Sequence, residues 1–501
     1  MADFGVQLNG TMLQGFSWNL PPDGQHWRRL ARLAPRLADE GFTSVWMPPA
    51  CKGTQGMQDV GYGVYDLWDL GEFDQRGAVS TKYGTREDYQ NAIDALHREG
   101  INVLADVVLN HKLGADGTQR VMATEVARDN RNYALHRPRP ITAWTRYTFP
   151  GRAGALDDFT WDYHHFDAVD YDVSRGREGI FLLEGKHWDE DVDHENGNFD
   201  YLMGADLDLD NAQVYQQLVR WGTWYINETG VDGVRLDAIK HMSRKFYLRW
   251  LNDIRRSLGR ELFCVGEYWL GDVGTLMHYL GDEKAMSLFD VPLHFKFFHA
   301  SYDGARIDFQ HILQGTLVEA DPVHTVTFVD NHDTQPNQSL ESTVAAWFKP
   351  VAYSLILLRE SGYPCVFFAD LYGLPNDKIP AVAELPLLLE IRRRFAFGKQ
   401  TDMFDDPDLV AWRRSGDDAH ENSGCVVILS SRDGSEKPVE KTIKMGRKHA
   451  GEKWICVLGE GRGPVRVDEN GRAKFVIGNT MLSVFLRTKA ARSLNNIPIL
   501  I

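Results

Sequence analysis

VDGVRLDAIKHM, residues 231–242, reads as a buried β-strand that ends in polar chemistry. Val234 and Leu236 are apolar and alternate with Arg235 and Asp237, and alternate residues of a strand face the same side. The guanidinium and the carboxylate therefore point into one space. A cation so close keeps a carboxylate ionised, which makes Asp237 an anion at neutral pH, suited to act as a nucleophile or to stabilise a positive transition state. An isolated RLD would read better as a structural Arg–Asp pair. Chemistry is favoured because three other strand-like runs end the same way: VLADVVLNH (103–111), LFCVGEYW (262–269) and VTFVDNHD (326–333).

Outward from this strand the chain alternates strand and helix. TMLQGF (11–16) leads to an amphipathic helix near WRRLARLAPRLADEG, closed by Gly41, and then to the strand SVWMPP (44–49). A Gly- and Tyr-rich loop, DVGYGVYDLWDLGEFDQRG, precedes the helix REDYQNAIDALHREG and the strand NVLADVVLNH. Later come the helix NAQVYQQLVRWGTWYINETG, the opening strand, the helix SRKFYLRWLNDIRRSLG and the strand that ends at Glu267. SLFDVPLHF, HTVTFVDNHD and YPCVFFADLYG complete eight strand candidates. Eight alternating units over about 400 residues predict an α/β chain built on a (β/α)8 TIM barrel. An open doubly wound sheet is the alternative, but no GxGxxG follows the first strand to support it.

Two departures from this rhythm mark further domains. From His111 to about Ala205 the chain is rich in Asp, His, Trp and Gly without clear alternation. That is too long for a loop and reads as a small inserted β-rich domain after the third strand. After Gly398 come short strands (LVAWRR, CVVILSS, EKTIKM, KWICVL, AKFVIG, LSVFLR) divided by turn residues, the pattern of an antiparallel β-sandwich. The expected division is a barrel over 1–111 and 206–400, an insertion over 112–205 and a sandwich over 401–501. The tail IPILI reads as an edge strand or a frayed end.

Composition narrows the partners. The 501 residues carry 55 Lys and Arg against 70 Asp and Glu, a formal charge of -15, which argues against nucleic acid and suits a neutral ligand or a cation. Fourteen Trp and eighteen Tyr are a generous supply of flat faces for stacking on sugar rings. MADFGVQLNGTMLQGF has no basic n-region or long apolar run, so no signal peptide is expected. No run approaches eighteen apolar residues, so no membrane span is expected either. Five scattered cysteines without a CxxC fit reduced thiols in a cytoplasmic protein, expected to be a monomer.

In a barrel of this kind the active site lies at the C-terminal ends of the strands. Asp237, Glu267 and Asp333 are therefore expected to converge with His111 and His332. Glu267 follows an apolar run and precedes Tyr268 and Trp269. Desolvation and two neighbouring anions should raise its pKa and leave it protonated. One ionised and one protonated carboxyl is what glycoside hydrolysis requires. Elsewhere Asp200, Asp206, Asp208 and Asp210 crowd eleven residues, and such like charges repel unless a cation sits among them. A solvated acidic turn is the alternative. An EF-hand is rejected, because Asn211 stands where its Gly is required and Gln217 where its closing Glu is. Hard oxygen donors suit calcium.

GVRLDAIKH, VGEYW and FVDNHD, with DVVLNH upstream, resemble the four motifs of the α-amylase family of glycoside hydrolases, in the family's order. DVGYGVYDLWDLGEFDQRGAVSTKYGT, ENGNFDYLMGADLDLD and RWGTWYINETGVDGVRLDAIKH extend the resemblance to the liquefying bacterial α-amylases and their intracellular bacterial and fungal relatives. It covers roughly residues 8–400 and, more weakly, the sandwich. It implies endo-acting, retaining hydrolysis of α-1,4-glucosidic bonds in starch, glycogen or maltodextrin. Asp237 would be the nucleophile, Glu267 the acid and then base, and Asp333 the carboxylate that holds sugar hydroxyls as the ring distorts. Retention implies that nucleophile and acid lie about 5 to 5.5 Å apart. Arg235 would fix Asp237, His111 and His332 would hydrogen-bond the sugar, Tyr62 would stack on it, and Lys240 and His241 would line the leaving-group side. The resemblance further implies a Ca2+ held by Asn110, Asp200, Asp206 and the backbone carbonyl of His241, and a second Ca2+ or a Na+ near Asp167, Asp189 and Asp208. A transglycosylase using the same residues and a non-catalytic glucan-binding protein are the alternatives it leaves open.

Overall fold

Eight short strands close on themselves: β1 (Met12–Gln14), β2 (Ser44–Met47), β3 (Asn102–Val107), β4 (Gly233–Leu236), β5 (Phe263–Gly266), β6 (Ser287–Phe289), β7 (Thr325–Phe328) and β8 (Tyr363–Phe367). They pair in parallel in the order β1-β8-β7-β6-β5-β4-β3-β2, in a computed structural model that describes residues 9–303, 307–432 and 437–494. Nearly every barrel-strand residue is buried, as expected where a parallel sheet is covered on one face by helices and filled on the other by its own side chains. The expected barrel is thus present, and each of the eight candidate runs supplies one strand. The IPILI tail lies outside the described residues.

Two runs change character midway: YPCVFFADLYG passes from strand to helix at Phe368, and SLFDVPLHF does so at Val291. SLFDVPLHF was expected as a strand throughout, yet the strand stops at Phe289 and a helix occupies Val291–Asp303. Asp290 explains the break. Its carboxylate accepts the backbone N–H of Leu293 at 3.1 Å, of Leu317 at 3.0 Å and of Val318 at 2.8 Å, satisfying donors that a helix start leaves free. Pro292, which has no N–H to satisfy, suits the first turn.

The helices follow their apolar spacing. His26–Glu40 turns Trp27, Leu30, Ala34 and Leu37 inward and stops at Gly41, whose φ of 92° a side chain would resist. Ala212–Thr229 is capped by the Asn211 side chain, ends at Gly230 and lies against Arg244–Leu258. The approach is close at Gly222, where an added Cβ would meet the Trp250 ring at 2.6 Å and Ile254 at 2.9 Å.

A second sheet, of six antiparallel strands, has the order His111–Lys112, Ala205–Leu207, Phe166–Asp172, Arg177–Leu183, Gly117–Val126, Arg139–Arg146. Its outermost strand begins only a few residues after β3 ends, and Asp206 pairs there with His111. This seam sets the sheet against the mouth of the barrel. The C-terminal residues form an antiparallel sheet of six strands and a two-stranded pair, Val439–Lys444 with Arg472–Ile477. Between them lies a core that includes Ala411, Ile428, Ile443, Phe475 and Phe485. Trp412 Nε1 donates to the Leu358 carbonyl at 3.2 Å and so ties this sheet to the barrel.

Gly222→Ala is expected to lower the thermal unfolding midpoint, although Ala is the better helix former by about 1 kcal/mol. Overpacking against the Trp250 ring should cost about 1–3 kcal/mol and outweigh that gain. An unchanged or raised midpoint in calorimetry would mean that the two helices separate more easily than the packing indicates.

Candidate active site

β4 and β5 are neighbours, and their ends interlock. The Asp237 N–H donates to the Val107 carbonyl at 3.0 Å, the Glu267 N–H to Leu236 at 3.0 Å and the Ile239 N–H to Glu267 at 3.1 Å. Between them Ala238 adopts the left-handed conformation, with φ 50°, turning the chain as soon as Asp237 has been presented. These bonds place the two carboxyl groups side by side at the C-terminal rim.

Arg235, the last but one residue of β4, is completely buried at the centre of the site. Its Nη1 donates to Asp106 at 2.8 Å and to Asp237 at 2.6 Å, and its Nη2 pairs with Glu267. Register explains the Asp106 contact, because Arg235 stands directly opposite Asp106 on β3. Asp106 also accepts Trp46 Nε1 at 2.9 Å and the Tyr62 hydroxyl at 2.8 Å. The guanidinium lies over the Trp46 ring, 4.9 Å from its centroid.

Three buried carboxyl groups thus share one buried guanidinium, with the half-buried Asp333 feeling the same charges, and the charge does not balance. Burial pushes Asp237 up to about 6, opposed by Arg235. Desolvation outweighs a cation that is divided among three partners, yet a carboxyl group that titrates near 6 is still mostly ionised at neutral pH. Burial also raises Glu267, against Arg235 and with help from the Asp237 charge. Asp333 is raised well above the carboxylate range by burial and then by Glu267. Protons must therefore stay within the group at neutral pH, and they belong to the coupled set rather than to one residue.

Aromatic rings wall the site. Tyr62 stacks on His332 at 5.2 Å and 11°, and Trp18 lies parallel to Tyr62 at 5.8 Å and 4°. Burial lowers His111 to about 4, so its imidazole is neutral, with Nε2 at 2.9 Å from the Tyr62 carbonyl. His332 is likewise held neutral by burial, and its Nδ1 meets Gln14 Nε2 at 2.9 Å. The His332–Asp333 loop is anchored from below by Lys349, whose ammonium sits 2.7 Å from Asp330 and also pairs with Asp370. Lys240 and His241 lie on the same rim but reach toward the inserted segment. Lys240 Nζ bonds Glu195 at 2.5 Å, and His241 Nδ1 bonds the Phe199 carbonyl at 2.7 Å.

The acidic residues gather behind this rim. Asp167, Asp189, Asp200 and Asp206 are all buried. Burial followed by mutual repulsion raises Asp167 to about 9, Asp189 to about 6, and Asp200 and Asp206 well above the usual range. One oxygen each of Asp189 and Asp206 is buried with no hydrogen-bond partner, while the other Asp206 oxygen takes Asn110 Nδ2 at 3.3 Å. Asp208 is paired with Lys186, and its charge bears on Asp167, Asp189 and Asp200. Among the described residues no three His, Cys, Asp or Glu side chains are already closed into a metal-binding group. The donor chemistry nevertheless fits a hard cation, since orphaned buried carboxylate oxygens are costly without one.

Asp106, Trp18, Trp46 and Gln14 were not singled out from the sequence. Asp106 had a readable signal, a charge inside the apolar run LADVV. Gln14 offered only a lone polar residue in a short apolar strand, and the two tryptophans resembled ordinary core.

Comparison with known proteins agrees with this architecture. The model of the α-amylase catalytic domain matches residues 34–493. The α-amylase of Bacillus licheniformis is 47% identical over 487 residues, covering 96% of this chain and 94% of that protein. The cytoplasmic α-amylase of Escherichia coli K12 is 44% identical over 494 residues, covering 95% and 99%. A solved α-amylase of Geobacillus thermoleovorans, complexed with acarbose, superposes with a TM-score of 0.60 over 96% of each chain at 18% identity, a likeness of fold alone. A closed barrel of eight parallel strands, one guanidinium shared by carboxylates at its rim, and close identity along nearly the whole chain lead to one conclusion: this protein belongs to the α-amylase family of glycoside hydrolases.

Proposed function

We propose that the protein is a retaining, endo-acting α-amylase that hydrolyses internal α-1,4-glucosidic bonds of starch, glycogen or maltodextrin. The observation that carries this reading is the Arg235 guanidinium, which holds Asp237 and Glu267 side by side while Asp333 feels the charge of both. Asp237 attacks the anomeric carbon as Glu267 delivers its proton to the departing glycosidic oxygen. Glu267, now a carboxylate, removes a proton from water, and that water releases the sugar from Asp237. Asp333 grips the ring hydroxyls, and His111, His332 and Tyr62 line the cleavage subsite. Lys240 and His241 flank the leaving-group side. Acarbose in the Geobacillus neighbour supports an oligosaccharide as the ligand class. Hydrolase names on the relatives of high identity favour water over a sugar hydroxyl as the acceptor, and the full set of carboxyl groups speaks against a non-catalytic role.

Calcium fits the acidic cluster in the same reading. Asn110, Asp200, Asp206 and the His241 carbonyl would hold one Ca2+, and Asp167, Asp189 and Asp208 would contribute to a second Ca2+ or a Na+. The cation would supply positive charge to buried carboxylates and tie the inserted sheet to the end of β3. Cytoplasmic residence is supported by the Escherichia coli relative's name and by five cysteines that form no disulfide. No helix among the described residues is long and apolar enough to cross a membrane.

Glu267→Gln is expected to lower kcat on soluble starch by about 10²–10⁴-fold with the fold intact, and Asp237→Asn at least as much. A rate for Glu267→Gln within twofold of the parent would remove Glu267 from the chemistry.

The pH dependence follows from the same carboxyl groups. As pH falls through about 6, Asp237 takes up a proton and the nucleophile is lost. As pH rises, Glu267, held above its ordinary 4.5, loses the proton the leaving group needs. The profile of kcat/KM on a maltooligosaccharide should therefore be bell-shaped; a profile with no acid limb would contradict the assignment of Asp237.

Calcium should raise the unfolding midpoint, by up to about 4 kcal/mol of stability at a thousandfold excess over Kd, and a chelator should lower it. Asp206→Asn should blunt this response. A midpoint indifferent to calcium and chelator alike would leave the acidic cluster without a cation.

A further inference from the structure

Gln14 closes β1, and its side chain crosses the barrel mouth to the loop after β7, although β8 lies between those two strands. There its Nε2 approaches His332 Nδ1 at 2.9 Å. Both residues are buried, and the His332 ring is packed against Tyr62, Phe16 and Trp46. A neutral imidazole carries one proton on one of two nitrogens, and the partner of either nitrogen selects which.

We propose that Gln14 is a positioning residue that sets the tautomer of His332, its amide N–H donating to a bare Nδ1 so that the ring proton sits on Nε2. His332 Nε2 lies 3.3 Å from an Asp333 carboxyl oxygen and is buried without a hydrogen-bond partner in the protein. In the opposite tautomer Gln14 Oε1 would have to turn toward Nδ1–H, and the bond from its amide N–H to a bare Nδ1 would be lost. With the proton on Nε2 that N–H faces the Asp333 carboxyl oxygen and remains available to a sugar hydroxyl held by Asp333. A buried donor left without a partner costs free energy that a hydroxyl at this point relieves. Gln14 therefore acts on the reaction only through His332. The inference rests on placing His332 in the cleavage subsite, as proposed above.

Two experiments test it. In histidine-15N-labelled full-length protein, with the His332 signal identified by its loss in His332→Gln, NMR should show Nε2 protonated and Nδ1 bare. A proton on Nδ1 overturns the proposal, and this measurement needs neither a substrate nor any assumption about activity. In kinetics, Gln14→Met removes the donor at similar volume and should lower kcat on a maltooligosaccharide roughly 10-fold, the worth of one hydrogen bond, with KM changed much less. Gln14→Glu, whose carboxylate accepts from Nδ1–H, should reverse the tautomer and lose more than Gln14→Met. In a His332→Ala background the Gln14→Met effect should vanish, because the residue through which it acts is gone. A full loss persisting in that background would show a merely structural role and sink the proposal. Should Gln14→Met not fold, the parent spectrum alone decides. Failure of the parent to cleave starch would instead strike the amylase reading and leave the tautomer result standing.

Discussion

A single guanidinium, sealed from water and shared among Asp106, Asp237 and Glu267, is the constraint on which the rest of the site depends. Taking an arginine and its carboxylates out of water is expensive, and removing one partner from such a group typically costs about 3–5 kcal/mol. The arrangement is tolerable because the barrel supplies geometry that cannot relax. Strand register sets Arg235 opposite Asp106, and backbone bonds between the ends of β3, β4 and β5 fix where the next carboxyl groups stand. One cation cannot neutralise four acids, so protons are kept in a place where water would otherwise strip them. An ionised and a protonated carboxyl group can then coexist at one pH.

The inserted sheet repeats the theme at its seam. His111 and Asp206 are paired on adjacent strands, so a histidine facing the cleft and an aspartate of the acidic cluster are two ends of the same short ladder. Anything that neutralises Asp206 and its neighbours steadies that ladder and with it His111 and the Tyr62 carbonyl it contacts. The short ladder thus joins the acidic cluster behind the rim to the residues in front of it. Lys349 plays a comparable part on the opposite side of the mouth, where its ammonium lies between Asp330 and Asp370 beneath the loop that carries His332 and Asp333.

Much of this was legible along the chain, for identifiable reasons. The barrel could be read because strand and helix alternate with clear punctuation, Gly41 and Gly230 each ending a helix in a left-handed turn. The carboxyl groups could be read because a charge at the end of an apolar run is costly and therefore conspicuous. SLFDVPLHF misled in part, since VPLHF is as apolar as a strand and only the fold shows Asp290 capping the Leu293 N–H of the helix start while also taking two from the neighbouring helix at Leu317 and Val318. Gln14 and Trp18 were hidden because nothing nearby in sequence distinguishes a polar or aromatic residue that reaches the site from one that only packs.

By itself the sequence determined the eightfold alternation, the family motifs and the identity of the acids and histidines at the strand ends, because burial periodicity and residue chemistry are local properties. Only the tertiary structure decided how charge is divided among those groups. That Arg235 serves three carboxylates instead of one, that Asp237 is lifted to about 6, and that Gln14 reaches His332 across an intervening strand all depend on register and burial. Electrostatic free energy falls with distance through a medium whose polarity the fold itself creates, and neither that distance nor that medium is written in the order of the residues.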